Sequence, residues 1–322
     1  MTAPITDSLL RLVDEQHSIE DYQSDIAPRW CTGCGDNAIL TSIQRLCRDE
    51  QIPLEKAVFV SGIGCSSRLP HYMNGYGFHG LHGRALPIAE GVKIRRPDLH
   101  VFVTMGDGDC CSIGAAHWLH AVRYNMNMTV ILHDNQIYGL TKMQASPTSP
   151  RGLKTNTSPR GSYLEPINPL NVTLGIANVS FVAQAVDWIP DMLYDVVSRA
   201  YHHKGFSFVR VMQRCPEFLS SRFDEWLQDP MRTKLLIHEN GLELNAQAAA
   251  VYKNHEVHDP MNMDRAREIA SAEDAIPVGI LYHNPNVPCY DEIRSPERPH
   301  TAAGVKRALD FEFDKFTIGA NG

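Results

Sequence analysis

The chain has 322 residues, 43% of them hydrophobic and 21% charged, which is ordinary for a soluble globular protein of one large domain with extensions, or two smaller ones. Its formal net charge of −7 argues against a general nucleic-acid binder, and no apolar run approaches the ~20 residues needed to span a bilayer. The start, MTAPITDSLLRLVDEQ, lacks the basic and apolar regions of a secretory signal. A cytoplasmic location is therefore expected, with the eight cysteines reduced.

Residues 1–29 read as a polar lead-in ending at Ala27-Pro28-Arg29. A tight loop, Trp30-Cys31-Thr32-Gly33-Cys34-Gly35, precedes Asp36, the expected N-cap of a helix over 37–49 in which Ile39, Leu40, Ile43 and Leu46 recur with helical spacing. A buried strand over 56–64 breaks into Cys65-Ser66-Ser67-Arg68, and 73–86 reads as a loop before a helix to about Arg96. Strands over 100–105 and 129–133 flank a helix containing Trp118 and Val122. A Ser-, Thr- and Pro-rich stretch then runs from Leu140 to Pro169, and a loop of that length is usually functional or partner-bound. A helix (170–177), a strand (181–185), a helix (189–202) and a strand (206–212) follow, the last delivering Arg214-Cys215-Pro216.

Continuous apolar strands alternating with helices predict an α/β fold with a doubly wound, mostly parallel sheet. From Glu217 the pattern weakens, leaving one apolar piece at 277–282 and a helix near 303–313. The expected organisation is a lead-in (1–29), a central domain (30–216) and a C-terminal extension (217–322).

Within the central domain, strand, Gly106-Asp107-Gly108 turn and helix form an arrangement suited to phosphate. Glycines let the backbone approach closely, and helix-start amides point at the anion. Asn135 ends the next strand, so Asp107 and Asn135 meet on one sheet edge, where carboxylate, amide and the Ile137 carbonyl are oxygen ligands suited to Mg²⁺. The same residues occur in ordinary turns. Cys31 and Cys34, with Cys65 and Cys215 each following a strand, suit tetrahedral Zn²⁺ or a [4Fe–4S] cluster. A redox Cys-x-x-Cys beside two core cysteines is the plainer alternative. Cys47, Cys110, Cys111 and Cys289 read as core.

The spacing from Gly106-Asp107-Gly108 to Asn135 resembles the diphosphate motif of thiamin diphosphate enzymes, with Asp134 where that pattern usually has Asn. Taken with Trp30-Cys31-Thr32-Gly33-Cys34-Gly35, Gly62-Ile63-Gly64-Cys65-Ser66-Ser67, His82-Gly83-Arg84-Ala85, Gly106-Asp107-Gly108-Asp109, Asn135-Gln136-Ile137-Tyr138-Gly139-Leu140-Thr141-Lys142 and Arg214-Cys215-Pro216, it resembles the beta subunit of 2-oxoacid:ferredoxin oxidoreductases over roughly 26–218.

That resemblance implies a pyrophosphate-type thiamin diphosphate domain, Mg²⁺ on Asp107, Asn135 and the Ile137 carbonyl, and one [4Fe–4S] cluster on Cys31, Cys34, Cys65 and Cys215. Cys65, Ser66, Ser67, His82, Gly106, Gly108, Asp109, Gly139 and Leu140 are the further expected cofactor contacts. Arg68 and Lys142 are the expected cations for a substrate carboxylate. The implied reaction is CoA-dependent oxidative decarboxylation of a 2-oxoacid, with electrons passing through the cluster to ferredoxin. Arg29 and Arg214 are the expected ferredoxin-facing bases. The glutamate that activates the cofactor is not identifiable on this chain. A separate alpha subunit is expected to bring it, with much of the CoA site, in an αβ or (αβ)2 assembly. The Tyr76-Gly77-Phe78-His79 segment looks most like the 2-oxoglutarate members, with pyruvate as the runner-up. A non-redox thiamin decarboxylase carrying structural zinc and a non-catalytic electron relay are the rival classes.

Overall fold

The computed structural model describes residues 16–238, 242, 246–294 and 302–314; residues 1–15 of the expected lead-in lie outside them. The strands are β1 (Ala57–Ser61), β2 (Tyr76–His79), β3 (His100–Gly106), β4 (Met128–Asp134), β5 (Ile137–Tyr138), β6 (Gln144–Ala145), β7 (Phe181–Val186), β8 (Phe206–Met212), β9 (Thr233–Ile237), β10 (His255–Val257) and β11 (Ile276–His283). The longer helices are α1 (Asp36–Asp49), α2 (Ala85–Arg95), α3 (Ala115–Tyr124), α4 (Pro190–His202), α5 (Met263–Ser271) and α6 (Ala302–Asp314). None is long and apolar enough to cross a membrane among the described residues.

Nine strands form one sheet in the order β10-β9-β11-β7-β8-β4-β3-β1-β2, with β5 and β6 paired separately. Neighbours from β2 to β7 run parallel. β11 pairs antiparallel with β7, and β9 and β10 run parallel to β11. The sheet is thus mostly parallel, as the continuous apolar strands require: each is covered on both faces. Phe59, Phe102, Ile131 and Val209 point to one core, shared with Ile39, Ile43, Leu193 and Val197 of α1 and α4. Val58, Val60, Val101, Val103, Val130 and Leu132 point to the other, under α2, α3 and α5.

Three departures from the expected elements have physical causes. The stretch expected as a loop at 73–86 contains β2, an edge strand whose four residues are all exposed, so it lacks the apolar continuity of a buried strand. Asp36 does not cap α1: Gly35 does, and Asp36 is buried because its Oδ1 accepts from His133 Nδ1 at 2.7 Å. Residues beyond 216 contribute β9, β10 and β11 to the sheet, although Lys234 and Glu256 break up the apolar pattern of β9 and β10. The apolar piece at 277–282 is the body of β11.

The chain leaves β1 outward to β2 but leaves β3 in the opposite direction to β4. A crevice therefore opens between the carboxyl ends of β1 and β3, the usual ligand position in such a sheet.

Candidate cofactor site and adjoining cysteines

A cavity of about 90 Å³ sits in that crevice, lined by the loops that follow β1, β3, β4 and β8. Cavities that enclose a whole small ligand run to roughly 300–1,000 Å³, so this one accommodates only an end of a cofactor. Of the expected contacts, Cys65, Ser66, His82, Gly106, Asp107, Gly108, Asp109, Asn135, Ile137, Gly139 and Leu140 all line it. Ser67 does not. It lies fully buried behind the wall, where its carbonyl accepts from Ser61 Oγ and His79 Nδ1, each at 2.7 Å.

Asp107 stands at the end of β3 with its carboxylate buried. Thr148 reaches back from the long loop, its Oγ1 2.7 Å from Asp107 Oδ2 and 2.8 Å from Asp134 Oδ1. Arg210 holds Asp134 through Nε at 2.7 Å and Nη2 at 2.6 Å. A hydroxyl has one proton and cannot donate to both carboxylates. Burial, then the charge of Asp134, push the Asp107 carboxyl up to about 7. The site is therefore short of positive charge on the cavity side of Asp107.

Across the crevice, Asn135 Oδ1 accepts from the Ile137 amide at 3.1 Å, and its Nδ2 donates to Gln213 Oε1 at 3.0 Å. Gln136 between them adopts φ +63°, a conformation L residues rarely hold without support. Its side chain accepts a hydrogen bond from Arg222 Nε.

Asp109 is a clamp rather than only a wall. Its Oδ1 accepts from His82 Nδ1 at 2.5 Å, the Gly83 amide at 2.6 Å and the Ile63 amide at 3.3 Å, tying three loops together. With Nδ1 so engaged, His82 keeps Nε2 for other partners. A Cβ on Gly62 would lie 2.0 Å from Asp109 Oδ2, so only glycine fits there. Gly62→Ala should destabilise the chain by about 1–3 kcal/mol and loosen the His82 loop. Thermal unfolding with and without cofactor will check it, and an unchanged cofactor-induced shift would refute the clamp.

Cys65 lines the same cavity, and Cys215 lies beside its wall. A Cβ on Gly139 would stand 3.7 Å from Cys215 Sγ and 3.8 Å from Cys65 Sγ. Burial pushes the Cys65 thiol up to about 12, with Asp36, Cys215 and Cys31 adding to it, and raises the Cys34 thiol with Asp36 and Cys215 contributing. Gln213 Nε2, at the cavity wall, donates to Cys34 Sγ at 3.2 Å. Among the described residues, no three His, Cys, Asp or Glu side chains converge as a single-ion site requires.

The remaining expectations fall elsewhere. Arg68 lines a neighbouring cleft, not this cavity. Lys142 is exposed at the turn between β5 and β6 and lines neither. Arg214 is held by the buried Asp187, its Nε 3.0 Å from Oδ2, so its charge is compensated. Sequence reasoning missed Thr148, Arg210, Gln213 and the Asp36–His133 pair. The length and hydroxyl content of the loop at 140–169 was the one available signal, and it pointed to the right segment without singling out Thr148.

Comparison with known proteins agrees with this geometry. Residues 62–211 match the family described as thiamine pyrophosphate enzyme, C-terminal TPP binding domain, and residues 248–297 match the C-terminal family of the pyruvate ferredoxin oxidoreductase beta subunit. The 2-oxoglutarate oxidoreductase subunit KorB of Mycobacterium tuberculosis is 37% identical over 302 residues, 92% of this chain and 79% of the relative. A 2-oxoacid:ferredoxin oxidoreductase beta subunit of a Sulfolobus species is 39% identical, covering 82% of this chain and 84% of the relative. The structure of 2-oxoglutarate:ferredoxin oxidoreductase from Magnetococcus marinus, with 2-oxoglutarate, coenzyme A and succinyl-CoA bound, is similar at TM-score 0.76 and 34% identity, covering 92% of this chain and 96% of that one. The chain belongs to the beta subunits of the 2-oxoacid:ferredoxin oxidoreductases, enzymes that work with an alpha subunit, and it carries their thiamin diphosphate-binding domain.

Proposed function

We propose that this chain, with its alpha subunit, converts 2-oxoglutarate, CoA and two oxidised ferredoxins to succinyl-CoA, CO₂, two reduced ferredoxins and a proton. With a strong reductant the same assembly runs in the reductive direction. The observation that carries this reading is the junction at Gly139, which lines the cofactor cavity and also approaches the sulfurs of Cys65 and Cys215.

The residues present fit the groups this chemistry needs. Among the described residues, Ser66 Oγ and His133 Nε2 are buried without partners, and both residues line the cavity, where phosphate oxygens would satisfy them. His82 and the Gly108 turn complete the diphosphate end. Asp107, Asn135 and the Ile137 carbonyl would hold Mg²⁺, whose charge offsets the buried Asp107 carboxylate. Cys31, Cys34, Cys65 and Cys215 would hold the [4Fe–4S] cluster, since a cubane needs sulfurs spaced around it rather than converged on one ion. When bound, thiamin diphosphate supplies the electron sink for decarboxylation, and the cluster supplies a one-electron exit. The chain's own part is to anchor and orient: Asp109 fixes His82, Thr148 and Arg210 fix the two aspartates, and Gln213 links Asn135 to Cys34.

The co-expressed pair, purified anaerobically, should contain about four iron and four sulfide per beta chain, thiamin diphosphate and no zinc. It should turn over 2-oxoglutarate faster than pyruvate. Zinc without iron would establish the non-redox reading, iron without thiamin diphosphate the relay reading, and better turnover of pyruvate would replace the substrate.

A further inference from the structure

Three chain segments meet at the sulfur of Cys34. The loop before α1 carries the cysteine, the first turn of α1 supplies Asp36, and Gln213 follows directly on β8. Asp36 and Gln213 are both fully buried. Gln213 Nε2 donates to Cys34 Sγ at 3.2 Å and also to the Arg214 carbonyl, while Oε1 accepts from Asn135 Nδ2 at 3.0 Å. Both amide protons and the amide oxygen are therefore used, which fixes the orientation that turns N–H rather than C=O to the sulfur. The second neighbour is a carboxylate. Asp36 Oδ2 lies 3.5 Å from Cys34 Sγ, and Oδ1 accepts from His133 Nδ1 at 2.7 Å. His133 is buried near the end of β4, so the sheet itself holds the carboxylate in place. After burial, Asp36 is the next influence raising both the Cys34 and the Cys65 thiols, so its charge reaches two of the four cysteines.

A thiol can share its proton with Asp36, but a thiolate ligating iron has none to give. A ligating Cys34 would thus face one amide donor and one carboxylate. Each electron added to a cluster makes its sulfurs more negative. A donor to sulfur favours that change, whereas a nearby carboxylate opposes it. Burial strengthens both effects, because little water screens them.

We propose that Asp36 and Gln213 set the reduction potential of the cluster with opposite signs through Cys34. The Asp36 carboxylate makes the reduced cluster a stronger reductant, and the Gln213 amide makes it a weaker one. His133 is a positioning residue that holds Asp36 beside the sulfur. The inference rests on the cluster reading above and adds the residues that tune it.

The test is an anaerobic redox titration of the αβ complex at one fixed pH, following the paramagnetic signal of the reduced cluster, with Asp36→Asn, Asp36→Ser and Gln213→Leu. Both Asp36 variants should shift the midpoint to more positive potential, raising the reduced-to-oxidised ratio at a fixed poise by roughly 10-fold or more. Gln213→Leu should shift it to more negative potential and lower that ratio by roughly 3–10-fold. Iron and sulfide at the wild-type level show that each variant keeps its cluster. If wild type itself holds no iron, the cluster reading fails and takes this inference with it. If wild type holds the cluster but the midpoints stay at the wild-type value, or the Asp36 and Gln213 variants shift in the same direction, this inference alone is overturned. Loss of iron from both Asp36 variants, or from Gln213→Leu, would likewise overturn it by making those residues structural.

Discussion

Asp107→Asn should abolish cofactor-dependent turnover while leaving the apo chain at least as stable as wild type. The two effects have opposite signs because they come from the same buried carboxylate. In the proposed holo site Asp107 is the one anionic ligand of Mg²⁺. Removing even an outer-sphere partner of a metal typically costs 10–100-fold, so loss of a direct ligand should weaken Mg²⁺ and thiamin diphosphate by more than ~100-fold. In the apo chain the carboxylate is a liability, since burial and Asp134 push its pKa from 3.8 to about 7. A carboxyl whose folded pKa is raised favours the folded state while protonated, and that advantage is lost as pH rises from about 4 to about 7. The asparagine variant escapes this loss. Its apo melting temperature should match wild type near pH 4 and match or exceed it at pH 8, while the stabilisation by Mg²⁺ and thiamin diphosphate disappears. A variant that keeps the cofactor-induced shift would remove Asp107 from the metal site.

Cys215→Ser should separate decarboxylation from electron delivery. Cys215 is the most buried of the four proposed cluster cysteines and lies against Gly139 at the cofactor wall. Burial pushes the Cys215 thiol up, while the backbone amides of Phe218, Glu217 and Leu219 act against that rise and would support a thiolate holding iron. Serine keeps the volume but not the soft thiolate. Iron and sulfide should fall to near zero and ferredoxin reduction by more than ~100-fold, a barrier increase of ~3 kcal/mol or more. Thiamin diphosphate content and slow CO₂ release from 2-oxoglutarate should persist. The same serine change at Cys47, on the core-facing side of α1, should affect stability but not iron. Equal iron loss at both positions would show that unfolding, not ligation, causes it.

Much of this site is legible in the amino-acid sequence. The Gly106-Asp107-Gly108 turn, Asn135 and the four cysteines carry their chemistry in residue type and local context, because a strand followed by a glycine turn has few ways to fold. The same holds for the central strands, whose apolar runs predict a sheet buried on both faces. Edge elements are less legible. β2, β9 and β10 are short, and β2 and β10 are largely exposed, so their side chains do not record which neighbour they pair with.

What the sequence by itself determined is the fold class and, through its glycine-turn and cysteine motifs, the family. Each depends on residues that act through their own type and nearest neighbours. Tertiary structure alone decided which partners support them. Thr148 lies 41 residues from Asp107, His133 97 residues from Asp36, and Gln213 179 residues from Cys34. It also separated Arg68 from Lys142 and gathered Arg29, His71 and His79 around the former. Such contacts are set by how strands stack side by side in the sheet, and no local periodicity encodes that order.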